Sequence, residues 1–214
     1  MSIQISNLSR AFAGRQLFQT SNIAAPTQGL LALLGPNGSG KTTLLRILST
    51  LTTPTHGDAL VAGFSIVKEP KQVRKNMGFV PTTDGGMFTK LTGLENLLLF
   101  GRLRGLRRRE VFHQLELWNE ILGLETALTT RFGICSSGMR QKLSIARALL
   151  HNPKVLLLDE PLRSLDQATT TRVLDAFRKI ATEKLVVFTS HTSNTAELAD
   201  HSWEIFEETL RPCS

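Results

Sequence analysis

The segment Gly35–Thr42 constrains the fold more than any other part of the chain. It reads Gly-Pro-Asn-Gly-Ser-Gly-Lys-Thr and matches the phosphate-loop pattern G-x-x-x-x-G-K-[ST] without a gap. The apolar run Gly29–Leu34 precedes it, and apolar residues at helical spacing follow it from Leu44 to Leu51. A strand, a glycine-rich loop and a helix in that order surround phosphate oxygens with backbone N–H groups and a positive helix end. The pattern therefore predicts an α/β protein that binds a phosphorylated ligand.

Each residue type in this loop has a predicted task. Lys41 is expected to supply a positive charge to the β- and γ-phosphates, and Thr42 a hydroxyl to Mg²⁺. Thr43 is expected to add a hydrogen bond to the α-phosphate. The other loop residues are expected to enclose the phosphates, with glycines letting N–H groups turn inward: Gly35, Pro36, Asn37, Gly38, Ser39 and Gly40. The alternative is a glycine-rich turn that binds nothing, which the flanking strand and helix patterns disfavour.

A pair of carboxylates follows a second apolar run. Val155–Leu158 is continuous and apolar, and Asp159 and Glu160 come directly after it. Ligands of open α/β sheets bind at the carboxyl ends of the strands, so both acids are candidate site residues. Asp159 is suited to hold Mg²⁺, and Glu160 is suited to polarise an attacking water. The alternative for such a pair is a solvated turn.

The remaining pattern predicts a parallel sheet with a helical insertion. Leu185–Phe188 is another buried-strand run, and a helical pattern lies between it and the run before Asp159. Residues from about 84 to 150 are predicted to form a helical subdomain. The arginine-rich stretch Arg102–Arg109 within it is either a solvated surface or a contact for lipid headgroups or an acidic partner. Residues 207–214 are expected to form a short polar tail.

Composition excludes several protein classes. The chain of 214 residues has 25 basic and 18 acidic residues, for a net charge of +7, and two cysteines, Cys135 and Cys213. Two distant cysteines make neither a disulfide framework nor a zinc module. No apolar run approaches the roughly 20 residues that span a bilayer, and the first residues lack the pattern of a secretory signal. The positive charge is compatible with a polyanion partner and equally with an ordinary basic surface.

The segment Cys135–Leu150 resembles a known family. Its start, Cys-Ser-Ser-Gly-Met-Arg-Gln, is similar to the signature L-S-G-G-Q of ATP-binding-cassette (ABC) transporter nucleotide-binding subunits, and a helical pattern follows it as in that family. Ser136 matches the signature serine and Gly138 its second glycine. The resemblance implies that these two residues face the γ-phosphate of a nucleotide held by a partner subunit. Ser136 is also expected to cap its helix.

Further motifs extend this resemblance over about residues 3–206. Ser164-Leu165-Asp166 resembles the D-loop at the dimer interface, which makes Asp166 a candidate ATP-site residue. His191 resembles the switch histidine that contacts the γ-phosphate. Phe12 stands where the family has an aromatic that stacks on adenine; the alternative for Phe12 is a core aromatic.

Two positions depart from the family pattern. Thr82 stands where the Q-loop glutamine is expected after Gly78-Phe79-Val80-Pro81, so a Mg²⁺ or water contact there is expected to be indirect. Leu162-Arg163 stands where a small pair such as Thr-Ser is usual.

The resemblance implies a fold, an activity and partners. The fold is an α/β P-loop NTPase of the ABC ATPase type, with a mostly parallel sheet core, an antiparallel β portion near the N-terminus and a helical subdomain. The implied activity is Mg²⁺-dependent ATP hydrolysis by a pair of identical subunits on a separate membrane permease, at the inner face of the cell membrane. Export of a drug, polysaccharide, lipid or haem is the implied class of transport, and no nucleic-acid partner is expected.

Two alternatives remain open at this point. One is a soluble ABC ATPase that works with an iron–sulfur assembly or nucleic-acid factor. The other is a nucleotide-binding regulator that hydrolyses ATP poorly, which is suggested by Thr82 in place of the Q-loop glutamine.

Overall fold

The computed structural model describes residues 1–12, 14–20, 22–83, 86–163, 165–190 and 198–213. The centre of its sheet consists of five strands: β4 Gly29–Leu34, β7 Met77–Val80, β8 Val155–Leu158, β9 Leu185–Thr189 and β10 His201–Phe206. They are parallel and lie in the spatial order β7-β8-β9-β4-β10. Both phosphate-loop and carboxylate segments follow strands of this set, so they emerge at one edge of the sheet.

The central strands are buried on both faces. Along β8, Val155 and Leu157 contribute to one hydrophobic core, and Leu156 and Leu158 contribute to the other. Successive side chains of a strand point to opposite faces, so a strand between two cores needs apolar residues at every position. This explains the continuous apolar runs of the sequence and confirms the predicted parallel core.

An antiparallel region flanks this core and confirms the second part of the fold prediction. β1 Ile3–Phe12 pairs with β2 Arg15–Gln19, β3 Asn22–Ala25 and β5 His56–Val61, and β5 pairs with β6 Phe64–Ser65. Its apolar side chains share a core with α1 Lys41–Leu48.

The helices between β7 and β8 pack on the other face. They are α3 Gly93–Leu103, α4 Arg108–Leu122, α5 Glu125–Thr129, a 3₁₀ turn Phe132–Ile134 and α6 Ser137–Leu149. α7 Gln167–Ala181 packs beside them, and α2 Pro70–Asn76 precedes β7. None of the helices formed by the described residues has the length and apolar content needed to cross a membrane.

The expected polar tail was wrong. Thr209–Pro212 forms β11, which pairs antiparallel with β10 and parallel with β2. Leu210 is 2% exposed and belongs to the core shared with α1. Its burial, together with the backbone pairing, fixes this segment on the sheet between the parallel and antiparallel regions.

Candidate active site

The phosphate loop has a backbone that only glycine fits at its two ends. Gly35 has φ +143°, and a Cβ there would lie 2.6 Å from the carbonyl oxygen of Ile205 on β10. Gly40 has φ +101° and is the N-cap of α1, where a Cβ would lie 3.0 Å from the ring of Phe18. These two close approaches hold the loop against Ile205 of β10 and Phe18 of β2.

Lys41 is the first residue of α1, and its side chain reaches back into the loop. Its side chain is buried, and its Nζ donates hydrogen bonds to the carbonyl oxygens of Gly35 at 2.7 Å and Pro36 at 3.0 Å. Burial lowers the pKa of the Lys41 ammonium, and the attraction of Glu160 and then of Asp159 opposes that shift. The ammonium is thus held inside the loop by carbonyl groups, within electrostatic reach of two carboxylates. A phosphate bound there would replace neutral carbonyl partners of the ammonium with negatively charged oxygens.

Ser39 provides an observation that points to a ligand. Its Oγ is buried, and within the described residues it has no hydrogen-bond partner. Buried hydroxyls are normally hydrogen-bonded, because an unpaired one costs free energy. A phosphate oxygen in the loop would satisfy this hydroxyl, and Ser39 is one of the residues that the sequence placed around the phosphates.

Asp159 connects the loop to the neighbouring strand ends. This side chain is 3% exposed, and threonine hydroxyls of the described chain converge on it. Thr42 donates to Oδ1 at 3.0 Å, Thr189 donates to Oδ1 at 3.1 Å, and Thr82 donates to Oδ2 at 2.8 Å. The candidate metal residues Thr42 and Asp159 are therefore in direct contact.

Thr189, the last residue of β9, was missed by the sequence analysis. It is 2% exposed, and its Oγ1 also accepts a hydrogen bond from the backbone N–H of Glu160 at 2.7 Å. The available signal was its position at the carboxyl end of a buried strand. Thr189 therefore fixes both carboxylate residues, one through the side chain and one through the backbone.

Glu160 has a distinctive backbone and an ion-pair partner. Its φ is +49°, a left-handed value that is uncommon for a residue with a side chain. The Glu160 carboxylate contacts Arg163, with 3.3 Å between Oε2 and Nη1. Its side chain is 23% exposed, so the carboxylate is accessible and also lies within electrostatic reach of Lys41.

These residues fit a magnesium ion by their chemistry. The side-chain donors around Asp159 are carboxylate and hydroxyl oxygens, which are the ligands that Mg²⁺ prefers. Thr42 and Asp159 would hold the ion. Thr82, through its hydrogen bond to Asp159, would orient the carboxylate.

A cavity of about 530 Å³ opens beside these carboxylates. Glu160, Thr82 and Arg163 line one part of it, and Arg140 and Gln141 from α6 line another. Within the described chain, Gln141 Nε2 is buried without a hydrogen-bond partner. The cavity therefore lies between the Q-loop position, the carboxylate turn and the signature helix.

The signature and D-loop residues begin helices. Ser136 is the N-cap of α6 and accepts a hydrogen bond from the Met139 N–H at 3.2 Å, which confirms the predicted cap. Asp166 caps α7 and accepts from Thr169, whose hydrogen bonds lower the pKa of that carboxyl. A Cβ at Gly138 would lie 2.9 Å from Thr169, so the two helix starts approach closely. Across the described residues, no hydrogen bond links Ser136 or Gly138 to the phosphate loop.

The remaining candidates have different outcomes. Phe12 ends β1 and is 68% exposed, so the alternative of a core aromatic is wrong. Its exposed ring is available for stacking. His191 and Ser164 lie outside the described residues.

A separate cleft of about 480 Å³ lies near the start of β7. Its cations are Arg74, Lys75 and Arg104, and His151 lies among them with Nε2 3.1 Å from Arg104 Nη1 and 3.1 Å from the Met77 carbonyl oxygen. Burial, and next the charge of Arg104, lower the pKa of His151 to about 4. The imidazole is therefore neutral near neutral pH.

Comparison with known proteins identifies the family. The family model described as "ABC transporter" matches residues 18–163, a range that includes the phosphate loop, the signature and both carboxylates. The chain belongs to the ABC transporter family. This confirms the resemblance drawn from the motifs.

Relatives within the family are ATP-binding proteins. The ABC transporter ATP-binding protein NatA of Bacillus subtilis (strain 168) is 38% identical over 163 residues, which cover 76% of this chain and 66% of NatA. The Nod factor export ATP-binding protein I of Rhizobium sp. (strain N33) is 31% identical over 198 residues, which cover 92% of this chain and 65% of that protein. The chain thus spans about two thirds of the length of these bacterial relatives.

A solved ABC structure has the same fold. It is a dimeric, post-hydrolysis state of an ATP-binding cassette bound to ADP and Pi, with a TM-score of 0.84 and 24% identity. The match covers 99% of this chain and 98% of that one. The predicted α/β ABC ATPase fold is confirmed.

Proposed function

We propose that this chain binds ATP and hydrolyses it with Mg²⁺ to energise a membrane permease. The observation that carries the proposal is the 3.0 Å hydrogen bond between Thr42 and the buried Asp159, beside the buried ammonium of Lys41. A loop for phosphates and a carboxylate for a metal are thereby joined at one edge of the sheet. Glu160, the next residue, adds an accessible carboxylate at that edge.

The proposed roles follow from these contacts. Lys41 neutralises charge on the β- and γ-phosphates, and Ser39, Thr43 and the N–H groups of the loop bind phosphate oxygens. Thr42 and Asp159 would hold Mg²⁺, which would supply further charge neutralisation. Glu160 accepts the proton of the attacking water. His191 and Phe12 remain proposed contacts to the γ-phosphate and adenine, respectively.

The signature residues are proposed to act across a dimer. Ser136 and Gly138 begin α6, and the described chain gives them no hydrogen bond to the phosphate loop. A helix N-terminus is nevertheless a favourable site for phosphate. We therefore assign Ser136, Gly138 and Asp166 to the nucleotide held by a second copy of the chain, so that two identical chains form two composite sites.

The transport class is proposed from the relatives. The name of the Rhizobium relative specifies export, which supports an exporter-type permease over an iron–sulfur or nucleic-acid factor. Among the candidate cargoes (drug, polysaccharide, lipid or haem), the ATP-site residues favour none, because their proposed contacts are with the nucleotide alone. The chain would act at the inner face of the cell membrane, bound to its permease.

Glu160→Gln tests the catalytic assignment. The amide keeps the shape of the side chain but is a poor proton acceptor, so ATP binding should persist while turnover falls by about 10²-fold or more. A nucleotide-bound dimer should then accumulate in gel filtration with ATP and Mg²⁺. Glu116→Gln, at an exposed position on α4, is the matched control and should retain parent activity. A Glu160→Gln protein that hydrolyses ATP at the parent rate would refute Glu160 as the base.

A further inference from the structure

Arg163 stands next to the proposed base because of the backbone turn that follows β8. The Arg163 N–H donates to the Glu160 carbonyl oxygen at 3.1 Å, which closes a turn with Pro161 at its second position. Proline fixes φ near −65° and favours that position. The turn brings the side chains of Glu160 and Arg163 together, with 3.3 Å between Arg163 Nη1 and Glu160 Oε2.

The Glu160 backbone restricts where its carboxylate can go. The residue is held at φ +49°, and its N–H is tied to the buried hydroxyl of Thr189. The carboxylate can therefore change position mainly by side-chain rotation. In this structure that rotation brings the carboxylate into contact with the guanidinium of Arg163, and the ammonium of Lys41 lies within electrostatic reach.

The guanidinium competes with the work proposed for Glu160. A base must present an oxygen to the attacking water, whereas the charge-assisted hydrogen bond to Arg163 occupies Oε2 and fixes the orientation of the carboxylate. Arg163 is 65% exposed, so water can replace the carboxylate as its partner at little cost. Arg163 and Glu160 both line the cavity that also contains Thr82, so the contact forms inside the proposed site.

We propose that Arg163 is a positioning residue that restrains ATP hydrolysis by holding the Glu160 carboxylate in an ion pair. The pair must open before Glu160 accepts the proton of the attacking water. This inference rests on the proposed function of Glu160. A small residue is usual at this position in the family, and the arginine found here is what makes the ion pair with Glu160 possible.

The test is steady-state ATPase kinetics of Arg163→Ser. The protein concentration is set high enough that the activity per chain no longer rises with concentration, so that a change in dimer formation does not affect kcat. The kcat should increase about two- to fivefold, the range that an exposed ion pair supplies, with the KM for ATP unchanged. Arg163→Lys keeps a cation and should stay near the parent kcat. Arg178→Ser is the matched control, because Arg178 forms an exposed ion pair of the same spacing with Asp175 on α7, away from the site.

Ionic strength separates the ion pair from a structural effect. Raising salt from roughly 0.05 to roughly 0.5 M screens exposed charges. The kcat of the parent and of Arg178→Ser should therefore rise toward that of Arg163→Ser, which should itself respond least. A purely structural role for Arg163 would lower the thermal midpoint without producing this convergence.

The outcomes are distinguishable from failure of the proposed function. Glu160→Gln reports whether Glu160 is needed at all. If Glu160→Gln abolishes turnover while Arg163→Ser leaves kcat unchanged or lowers it, the restraint is refuted and the base assignment stands. A several-fold higher KM in Arg163→Ser would also overturn the proposal, because it would place Arg163 on the nucleotide. If Glu160→Gln is fully active, the proposed function of Glu160 fails first.

Discussion

Replacing Thr189 by valine should destabilise the chain far more than its modest change in shape implies. Valine keeps the branched shape but removes the hydroxyl that joins Asp159 to the Glu160 backbone. Losing a hydrogen bond to a charged group costs about 1.5–3 kcal/mol, and leaving a buried N–H unpaired costs about 1–3 kcal/mol. Both losses come from one hydroxyl, and valine recovers some apolar burial, so we expect a net loss of about 2–4 kcal/mol.

Urea denaturation measures this loss directly. The chain has two tryptophans, Trp118 and Trp203, and they are 7% and 3% exposed. Their fluorescence should report unfolding on both sides of the sheet, because each belongs to a different core. If the unfolding transition followed by this fluorescence superimposes on the transition followed by a second spectroscopic probe, a two-state free energy of unfolding is justified.

Thr189→Ser is the control for this experiment. Serine keeps the hydroxyl and removes one buried methyl, which should cost about 1 kcal/mol. Valine should therefore be more destabilising than serine, although it retains more apolar surface. The reasoning is refuted if serine is equally or more destabilising, because packing and not hydrogen bonding would then dominate at this position.

Two further predictions concern Thr82 and His151. Thr82→Gln should raise steady-state ATPase activity or leave it unchanged across a Mg²⁺ titration. The reason is that Thr82 contacts Asp159 and would reach a metal only through that carboxylate. Outright loss of activity would show an independent role for Thr82. For His151, burial lowers the pKa to about 4 in the folded chain, so the unfolded chain binds the proton first as pH falls from about 6.5. The stabilising contribution of the neutral imidazole is complete above that range and is lost toward pH 4, at up to about 1.4 kcal/mol per pH unit. His151→Gln should flatten this part of the curve in urea titrations between these pH values, and parallel curves for the two proteins would contradict the prediction.

The sequence predicted the parts of the site that are local in the chain. Gly35–Thr42 and Asp159-Glu160 each follow a buried strand, and parallel strands end at one edge, so their meeting was predictable. The hydrogen bond between Thr42 and Asp159 joins these two segments, as that rule predicts. The Ser136 cap was also predictable, because capping depends on a few consecutive residues.

Contacts between distant segments were not predictable in the same way. Thr189 directly follows the predicted strand Leu185–Phe188, and its role depends on where β9 lies relative to Asp159. Residues 209–212 have a single buried apolar side chain, Leu210, and become a strand because β2 and β10 offer backbone partners. A single sequence gives propensity and periodicity but not the register of such nonlocal pairs.

The position of β4 has a consequence for synthesis on the ribosome. This strand carries the phosphate loop at its end, yet its neighbours in the sheet are β9 and β10, which come more than 150 residues later. At about 5–20 residues per second, β4 leaves the ribosome on the order of ten seconds before β9 is made. During that interval its apolar backbone edges are unpaired, and the loop lacks Ile205, which closes on Gly35. The nascent chain should therefore depend on chaperone protection early and acquire its nucleotide affinity only as the last strands emerge.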